Sequence, residues 1–229
     1  MDFAIRSYLP ELLDQPNIPA VDIQRNLYEL SIINQQLGGH AITWQGFIKL
    51  ADMGKQVHVC EIGCGGGDNL KAIEEKAADH YAELSFTGID INPNCIQVAQ
   101  NISLKKPVQF LVSDYKKVHF KSKPDIIFCS LFCHHFKGPE LIQMFRWLNE
   151  NSRSGFFISD LHRHPLAYHS IRLLTSLFSK SYLIKHDAPL SVLRGFKKKE
   201  LQDLLNNAGI LNYTIQWKWA FRWLVIVRS

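Results

Sequence analysis

The chain has 229 residues, of which 46% are hydrophobic and 21% charged, and its formal net charge is +5. This balance is that of a globular protein with a sizeable core, and it excludes disordered and collagen-like chains. No apolar run approaches the ~20 residues that a membrane-spanning helix needs. Charged residues near the N-terminus argue against a secretory signal, so we expect a cytoplasmic protein. The mild charge argues against a nucleic-acid partner.

The first half of the chain predicts alternating strands and helices. Apolar residues recur at steps of three and four over 21–37, which is typical of one helix face. Gly38 and Gly39 can close that helix in a left-handed conformation. Further helices are predicted at 43–53, 68–81, 94–103 and 139–149, and strands at 57–62, 84–89, 108–112, 125–131 and 155–159. Strands that alternate with helices indicate a parallel α/β sheet.

The pattern changes after residue 160. Helices are predicted at 166–178 and 198–208, and two β-rich runs at 211–217 and 221–227 indicate an antiparallel hairpin. Basic residues dominate 160–199, which leaves a weak contact of the 166–178 helix with a membrane surface as one interpretation. The five cysteines form no Cys-x-x-Cys pair, so we expect reduced buried thiols and no metal site.

A glycine-rich loop after the first strand carries the chemical signal. The segment runs Glu61-Ile-Gly63-Cys64-Gly65-Gly66-Gly67 and leads into a helix. A dinucleotide fingerprint started at Gly63 requires glycine at position 68, which is Asp68 and weakens the case for a nicotinamide-dependent oxidoreductase. A P-loop requires Gly-Lys-Ser/Thr, which is absent. What remains is an acidic residue followed by Gly-x-Gly-x-Gly.

This segment resembles motif I of the class I S-adenosylmethionine-dependent methyltransferases. The resemblance implies a Rossmann-like, seven-stranded, mostly parallel sheet with helices on both faces and a C-terminal antiparallel hairpin. It also implies S-adenosyl-L-methionine as the cofactor. Asp90 lies 23 residues after Gly67, close to the ~20 expected of an acidic residue that binds a ribose. The expected cofactor-binding residues are Glu61, Gly63, Cys64, Gly65, Gly67, Asp90, Ile91, Asp114, Tyr115 and Leu131.

Histidines follow the fourth predicted strand, where members of this family place the transferring methyl group. The sequence there is Leu131-Phe132-Cys133-His134-His135, unlike the acidic/Asn-Pro-Pro-aromatic motif of the nucleic-acid N-methyltransferases. A histidine at this edge can act as a base near neutral pH. The candidate catalytic residues are His134, His135 and His162, of which we expect at most one to act.

Further segments look like a bacterial subgroup of small-molecule methyltransferases, some of which occur beside polyketide-type biosynthetic enzymes. These segments are Arg6-Ser7-Tyr8 with Glu11-Leu12-Leu13-Asp14, Asn34 with Leu37-Gly38-Gly39-His40, and Ser159-Asp160 through Tyr168. The candidate acceptor-binding residues are Tyr8, Asn34, Arg163, Tyr168 and Arg194. An arginine beside aromatic residues in a covering segment can pair with a carboxylate or stack on a ring.

The sequence therefore predicts methyl transfer to a small, aromatic or polyketide-like acceptor, most simply at oxygen. An RNA methyltransferase and a non-catalytic cofactor-binding regulator are the alternatives. We expect residues 1–44 to form an N-terminal helical cap. Residues 45–229 would form the methyltransferase domain, with a helical lid at 161–195. The chain is expected to be a monomer or a homodimer.

Overall fold

One mixed sheet of seven strands organises the molecule. The computed structural model describes residues 2–52, 56–77, 80–81 and 83–229. The strands are β1 (Val57–Ile62), β2 (Leu84–Asp90), β3 (Val108–Val112), β4 (Ile126–Ser130), β5 (Gly155–Leu161), β6 (Tyr213–Lys218) and β7 (Arg222–Arg228). Their order is β3-β2-β1-β4-β5-β7-β6. The first five run parallel and β7 is antiparallel to both neighbours, which confirms the predicted fold class.

Eight helices in the described residues connect the strands and cover the sheet. They are α1 (Ala20–Gln36), α2 (Gly39–Leu50), α3 (Asp68–Ala77), α4 (Pro93–Gln100), α5 (Gly138–Asn151), α6 (Pro165–Phe178), α7 (Tyr182–Arg194) and α8 (Lys198–Asn207). None of these helices combines the length and the apolar composition needed to cross a membrane. Residues 53 and 78–79, to which two of the predicted helices extended, lie outside the described residues.

Apolar clusters lie on both faces of the sheet, as the continuous apolar strands predict. On one face Phe145 of α5 and Leu201 of α8 are buried against β4 and β5. On the other face Phe47 of α2 and Ile73 of α3 are buried with Phe157. The five cysteines are free thiols, and all are buried.

The N-terminal residues, α1, α6 and α7 gather at the carboxyl edge of the parallel strands. Helix α7 packs on α6, on α1 and on a 3-10 turn at Leu12–Asp14. The apolar face of α1 that the sequence predicts does not pack into either of the two apolar clusters on the sheet. Instead Leu27 lies over the glycine-rich loop, 3.3 Å from where a Cβ on Gly65 would stand.

Two helices differ from the sequence prediction. Helix α2 begins at Gly39 rather than at residue 43 because Gly38 adopts a left-handed conformation, with φ of 76°, and leads directly into it. No element was predicted at α7, whose internal Pro189 obscures the helical pattern. Ser181 caps its first turn by accepting a hydrogen bond from the backbone N–H of Ile184 at 3.4 Å.

Helix α2 approaches β5 closely at Gly46, and this packing predicts the effect of a larger residue there. A Cβ on Gly46 would stand 2.4 Å from the Phe157 ring, which stacks on Phe128 at a centroid distance of 4.7 Å. Gly46→Ala should therefore destabilise the protein by about 1–3 kcal/mol, although alanine ordinarily favours a helix. Gly138→Ala is the matched control because the nearest atom there is 3.9 Å away. Urea unfolding measures both, and equal effects of the two substitutions would contradict this packing.

Candidate active site

The sheet order reverses between β1 and β4, and ligands of open α/β sheets bind outside the carboxyl ends of strands at such a point. The glycine-rich loop follows β1, and a 3-10 turn at Cys133–His135 follows β4. Leu131, which lies between β4 and this 3-10 turn, has a positive φ of 52°, a strained conformation for a residue with a side chain. Gly63 is required for contact between the two segments, since a Cβ there would lie 2.2 Å from the Phe132 ring.

The glycine-rich loop turns tightly through Gly63, Gly65 and Gly67, all with positive φ. The side chain of Cys64 does not face a ligand above the loop, so the predicted contact of Cys64 with the cofactor would be made by its backbone. Its thiol is buried beneath the loop, and its backbone N–H donates to the carbonyl of Ile89 at 3.1 Å. The loop therefore presents backbone, rather than side chains, to whatever binds above it.

Asp90 stands at the end of β2 beside this loop. Its carboxylate accepts hydrogen bonds from the backbone N–H groups of Gly65 and Asn92, each at 2.9 Å. Burial raises the pKa of Asp90, and those hydrogen bonds oppose the rise. The neighbouring Ile91 is 72% exposed. A held carboxylate beside an exposed apolar side chain fits a ligand with vicinal hydroxyls and a flat apolar ring.

The acidic residue after β3 lies farther along the same edge. Asp114 accepts a hydrogen bond from the backbone N–H of Lys116 at 3.0 Å, so it caps a short 3-10 turn. Its other oxygen is available for a ligand amine. The ring of Tyr115 is buried against Trp147 at a centroid distance of 5.2 Å, so its side chain packs in the core. Its predicted contact with the cofactor would therefore be made by the backbone.

Glu61 is fully buried at the end of β1. Asn69 of α3 donates to one of its carboxyl oxygens at 2.9 Å and receives a hydrogen bond from Thr43 of α2 at 3.0 Å. The second oxygen of Glu61 has no hydrogen-bond partner among the described residues. Burial, with Asp68 nearby, raises the pKa of Glu61 well above its usual range. A buried carboxyl with one unused oxygen is suited to receive a donor at the sheet edge.

A second buried network on this side of the sheet centres on Arg222 of β7. Its guanidinium donates to Asn34 at 2.9 Å, and Asn34 donates to Asp68 at 3.2 Å, which also pairs with His40 at 2.7 Å. Burial lowers the pKa of Arg222 to about 10. Its Nη1 atom has no hydrogen-bond partner among the described residues. Asn34, predicted to bind the acceptor, instead holds Arg222 in place.

An apolar cavity of about 300 Å³ lies beside Leu131. Its walls come from α1, α6, α7, the segment after β4 and the turn between β6 and β7. Its lining residues include Leu13, Leu30, Ile33, Leu37, Leu131, Leu161, Ile171, Leu174, Ile184, Val192, Trp219 and Phe221. Ionisable groups also line it, namely Glu11, His134, His135, Asp187 and Arg222. The first three lie close together and form its polar end. This volume suits a small organic molecule with one polar group.

His134 is buried between two carboxylates at the polar end of the cavity. Its Nδ1 atom is 2.8 Å from Asp160 and its Nε2 atom is 3.5 Å from Glu11. Burial alone would lower the pKa of His134, but Asp160 and Glu11 outweigh it and raise the pKa to about 9. His134 is therefore an imidazolium at neutral pH, and the prediction that it acts as a base is not supported.

His135 lies next to it and is partly exposed to the cavity. Its Nδ1 atom is 3.3 Å from Asp14, and its Nε2 atom is 3.8 Å from Glu11. Burial alone would raise the pKa of Asp14, but His135 and Arg194 lower it below its usual value. An ionised Asp14 favours the tautomer of His135 that carries its proton on Nδ1, which leaves Nε2 free to accept a proton.

Three buried arginines fasten the N-terminal segment to this region. Arg194 donates to the carbonyls of Leu9 and His135, each at 3.0 Å. Arg6 donates to the carbonyl of His134 at 3.0 Å and to that of Arg194 at 2.8 Å. Arg163 is fully buried and donates to the carbonyls of residues 3, 4 and 195. Arg163 and Arg194 are predicted to bind the acceptor, but their guanidinium groups are held by protein groups. Besides these carbonyls, Arg163 pairs with Glu200, and Arg194 lies 3.7 Å from Glu11 and 3.6 Å from Asp14.

The remaining predicted residues lie off the cavity wall. Tyr8 is half exposed, with Arg6 above its ring at 5.3 Å. Tyr168 is buried against Phe3. The ring of His162 packs against Trp223 at a centroid distance of 4.8 Å, and burial lowers its pKa to about 4. None of these three predictions finds support in the geometry.

Glu11, His134 and His135 offer three potential metal-ligating atoms within 4.8 Å of one another. Glu11, however, already accepts a hydrogen bond from Ser191 at 2.8 Å and lies 3.7 Å from the Arg194 guanidinium. The three side chains therefore contact one another and neighbouring protein groups as an ion-pair network.

Comparisons with known proteins agree with this geometry. Residues 59–155 match the family model described as a methyltransferase domain. The plantazolicin methyltransferase BpumL, solved with SAH, superposes with a TM-score of 0.67 at 18% identity over 95% of this chain and 92% of that chain. Human N-acetylserotonin methyltransferase, solved with SAM, gives a TM-score of 0.64 at 17% identity over 92% of this chain and 56% of that chain. No protein with curated annotation matches the sequence.

The charge on His134 predicts how stability depends on pH. Its pKa rises from 6.5 to about 9 on folding, so the native protein holds this proton more tightly than the unfolded chain. The resulting stabilisation, on the order of 3 kcal/mol, is fully present below pH 6.5 and is lost as the pH rises through about 9. Urea unfolding of wild type and His134→Asn between pH 6 and pH 9.5 measures it. A difference between the two proteins that stays constant over this range would contradict the assignment.

Proposed function

We propose that the chain is an S-adenosylmethionine-dependent methyltransferase and that it methylates a hydroxyl group of a small aromatic acceptor. The match of residues 59–155 to a methyltransferase domain and the fold shared with methyltransferases support the first part of this proposal. One observation carries the proposal. His135 lines the apolar cavity of about 300 Å³, and its Nδ1 atom is 3.3 Å from the carboxylate of Asp14. The cavity accommodates an apolar ring, and the histidine can remove a hydroxyl proton.

The residues at the sheet edge fit the cofactor. In this proposal Asp90 would receive the ribose hydroxyls, Ile91 would lie against the adenine and Asp114 would bind its amino group. Glu61 has an unused carboxyl oxygen and Arg222 an unused donor. The acceptor oxygen of Glu61 would suit the amino group of a methionine moiety, and the donor of Arg222 would suit its carboxylate. When bound, S-adenosylmethionine supplies an electrophilic methyl group on a sulfonium, and the protein's own residues prepare the acceptor oxygen.

In this proposal His135 accepts the hydroxyl proton at Nε2 while Asp14 holds Nδ1–H and stabilises the imidazolium that forms. His134, which is already charged, contributes a fixed positive charge beside the acceptor oxygen as the oxygen becomes anionic. Trp219 and Phe221 provide aromatic surface for the acceptor ring. The N-terminal cap (1–44) and the lid (161–195) exclude water from the site.

The relatives support the class of acceptor without deciding it. BpumL is named for plantazolicin and the human enzyme for N-acetylserotonin, so this fold accepts molecules of modest size. The apolar lining of the cavity favours an acceptor without several charges. Neither relative exceeds 18% identity, so the proposal depends on the cavity and on His135 rather than on their names.

The test is methyl transfer to a panel of simple phenols and of the same rings without a hydroxyl. Methyl ethers should form only from the phenols. His135→Ala should lower kcat by 10²–10⁴-fold, the usual loss for a general base, with an unchanged Kd for S-adenosylmethionine. The exposed His169 of α6 provides the control, and His169→Ala should leave kcat unchanged. Near wild-type turnover of His135→Ala would contradict the assigned base, and transfer to rings without a hydroxyl would contradict the acceptor class.

A further inference from the structure

A second apolar cavity of about 440 Å³ adjoins the acceptor cavity between α1 and α6. The two cavities share Ile33 and Leu37 of α1 and Ile171 and Leu174 of α6. The second cavity reaches Phe178, the last residue of α6, which is 78% exposed. An apolar path therefore extends from the site beside His135 toward the surface between these two helices.

Apart from Gln36, the polar side chains that line this second cavity are bonded within the protein. The carboxylate of Glu29 accepts hydrogen bonds from the Ser179 hydroxyl and from the backbone N–H of Lys180 at 3.1 Å. The hydroxyl of Thr175 donates to the carbonyl of Arg172 at 3.3 Å. A ligand therefore meets chiefly apolar surface here. A polar ligand would lose its hydration without compensating hydrogen bonds, whereas an alkyl chain would not.

We propose that the second cavity binds an alkyl chain carried by the acceptor, so that the acceptor is an amphipathic phenol. The inference rests on the proposed function, because the phenol ring would occupy the first cavity. Continuity between the cavities supports this occupant: the four shared residues lie where a substituent on the ring would leave the first cavity. Ile32 lines the second cavity but not the first, so it would contact only alkyl chains long enough to enter the second cavity.

The experiment uses para-alkylphenols with methyl, propyl, pentyl and heptyl chains, titrated calorimetrically into the full-length protein with S-adenosylhomocysteine. Each methylene that enters an apolar site should lower Kd by about fourfold. Ile32→Trp should fill the second cavity and abolish the gain for the longer chains while binding the methyl compound normally. The control is Ile48→Trp on α2, because Ile48 is 43% exposed against 41% for Ile32 and lines neither cavity.

The outcomes separate this inference from the proposed function. Methyl transfer to short phenols with no effect of chain length on Kd would overturn the inference and leave the function standing. A chain-length effect that Ile32→Trp removes, without transfer to any phenol, would support the site and overturn the function. Equal effects of Ile32→Trp and Ile48→Trp would overturn the site. Sedimentation with lipid vesicles, in the absence of a chain-length effect, would assign this surface to a membrane instead.

Discussion

The buried ion pairs of His134 connect parts of the chain that are distant in sequence. Asp160 at the end of β5 and Glu11 in the N-terminal segment hold this imidazole between them, at 2.8 and 3.5 Å. A charge buried this deeply costs several kcal/mol unless partners of opposite sign surround it. The sheet edge, the N-terminal segment and the turn after β4 must therefore be assembled together for the charge to be tolerated.

The buried arginines extend this constraint to helix α7 and the N-terminal segment. Arg194 at the end of α7 and Arg6 near the N-terminus both donate to carbonyls of the turn that holds His134 and His135. Because an arginine has several donors in a rigid fork, one side chain can hold several backbone segments at once. The position of His135 thus depends on two arginines that do not line the cavity. Removing either of them would leave buried carbonyl groups without their donors, which costs more than a hydrogen bond contributes.

The sequence predicts the parts of this architecture that depend on local patterns. Strand and helix periodicity and the glycine-rich loop give the sheet and the position of Asp90, because each of these signals lies within about 20 residues. The sequence does not predict the contacts of Arg163 and Arg194, because an arginine in a covering segment has the same sequence surroundings whether it binds a ligand or a distant carbonyl. Arg163 reaches the carbonyl of Phe3, which lies 160 residues earlier. Helix α7 was missed because Pro189 interrupts its pattern.

Arg194 is expected to position His135 and Asp14 for catalysis without taking part in cofactor binding. Arg194→Lys keeps the positive charge, but its single nitrogen cannot replace the three guanidinium nitrogens that donate separately to Leu9, His134 and His135. With folding verified by circular dichroism, the decisive measurement is kcat and the Kd for S-adenosylmethionine in this variant. We predict a loss of at least about tenfold in kcat, since a misplaced base loses its alignment, with the cofactor Kd unchanged within about twofold. An unchanged kcat, or a cofactor Kd that rises as much as kcat falls, would contradict the account.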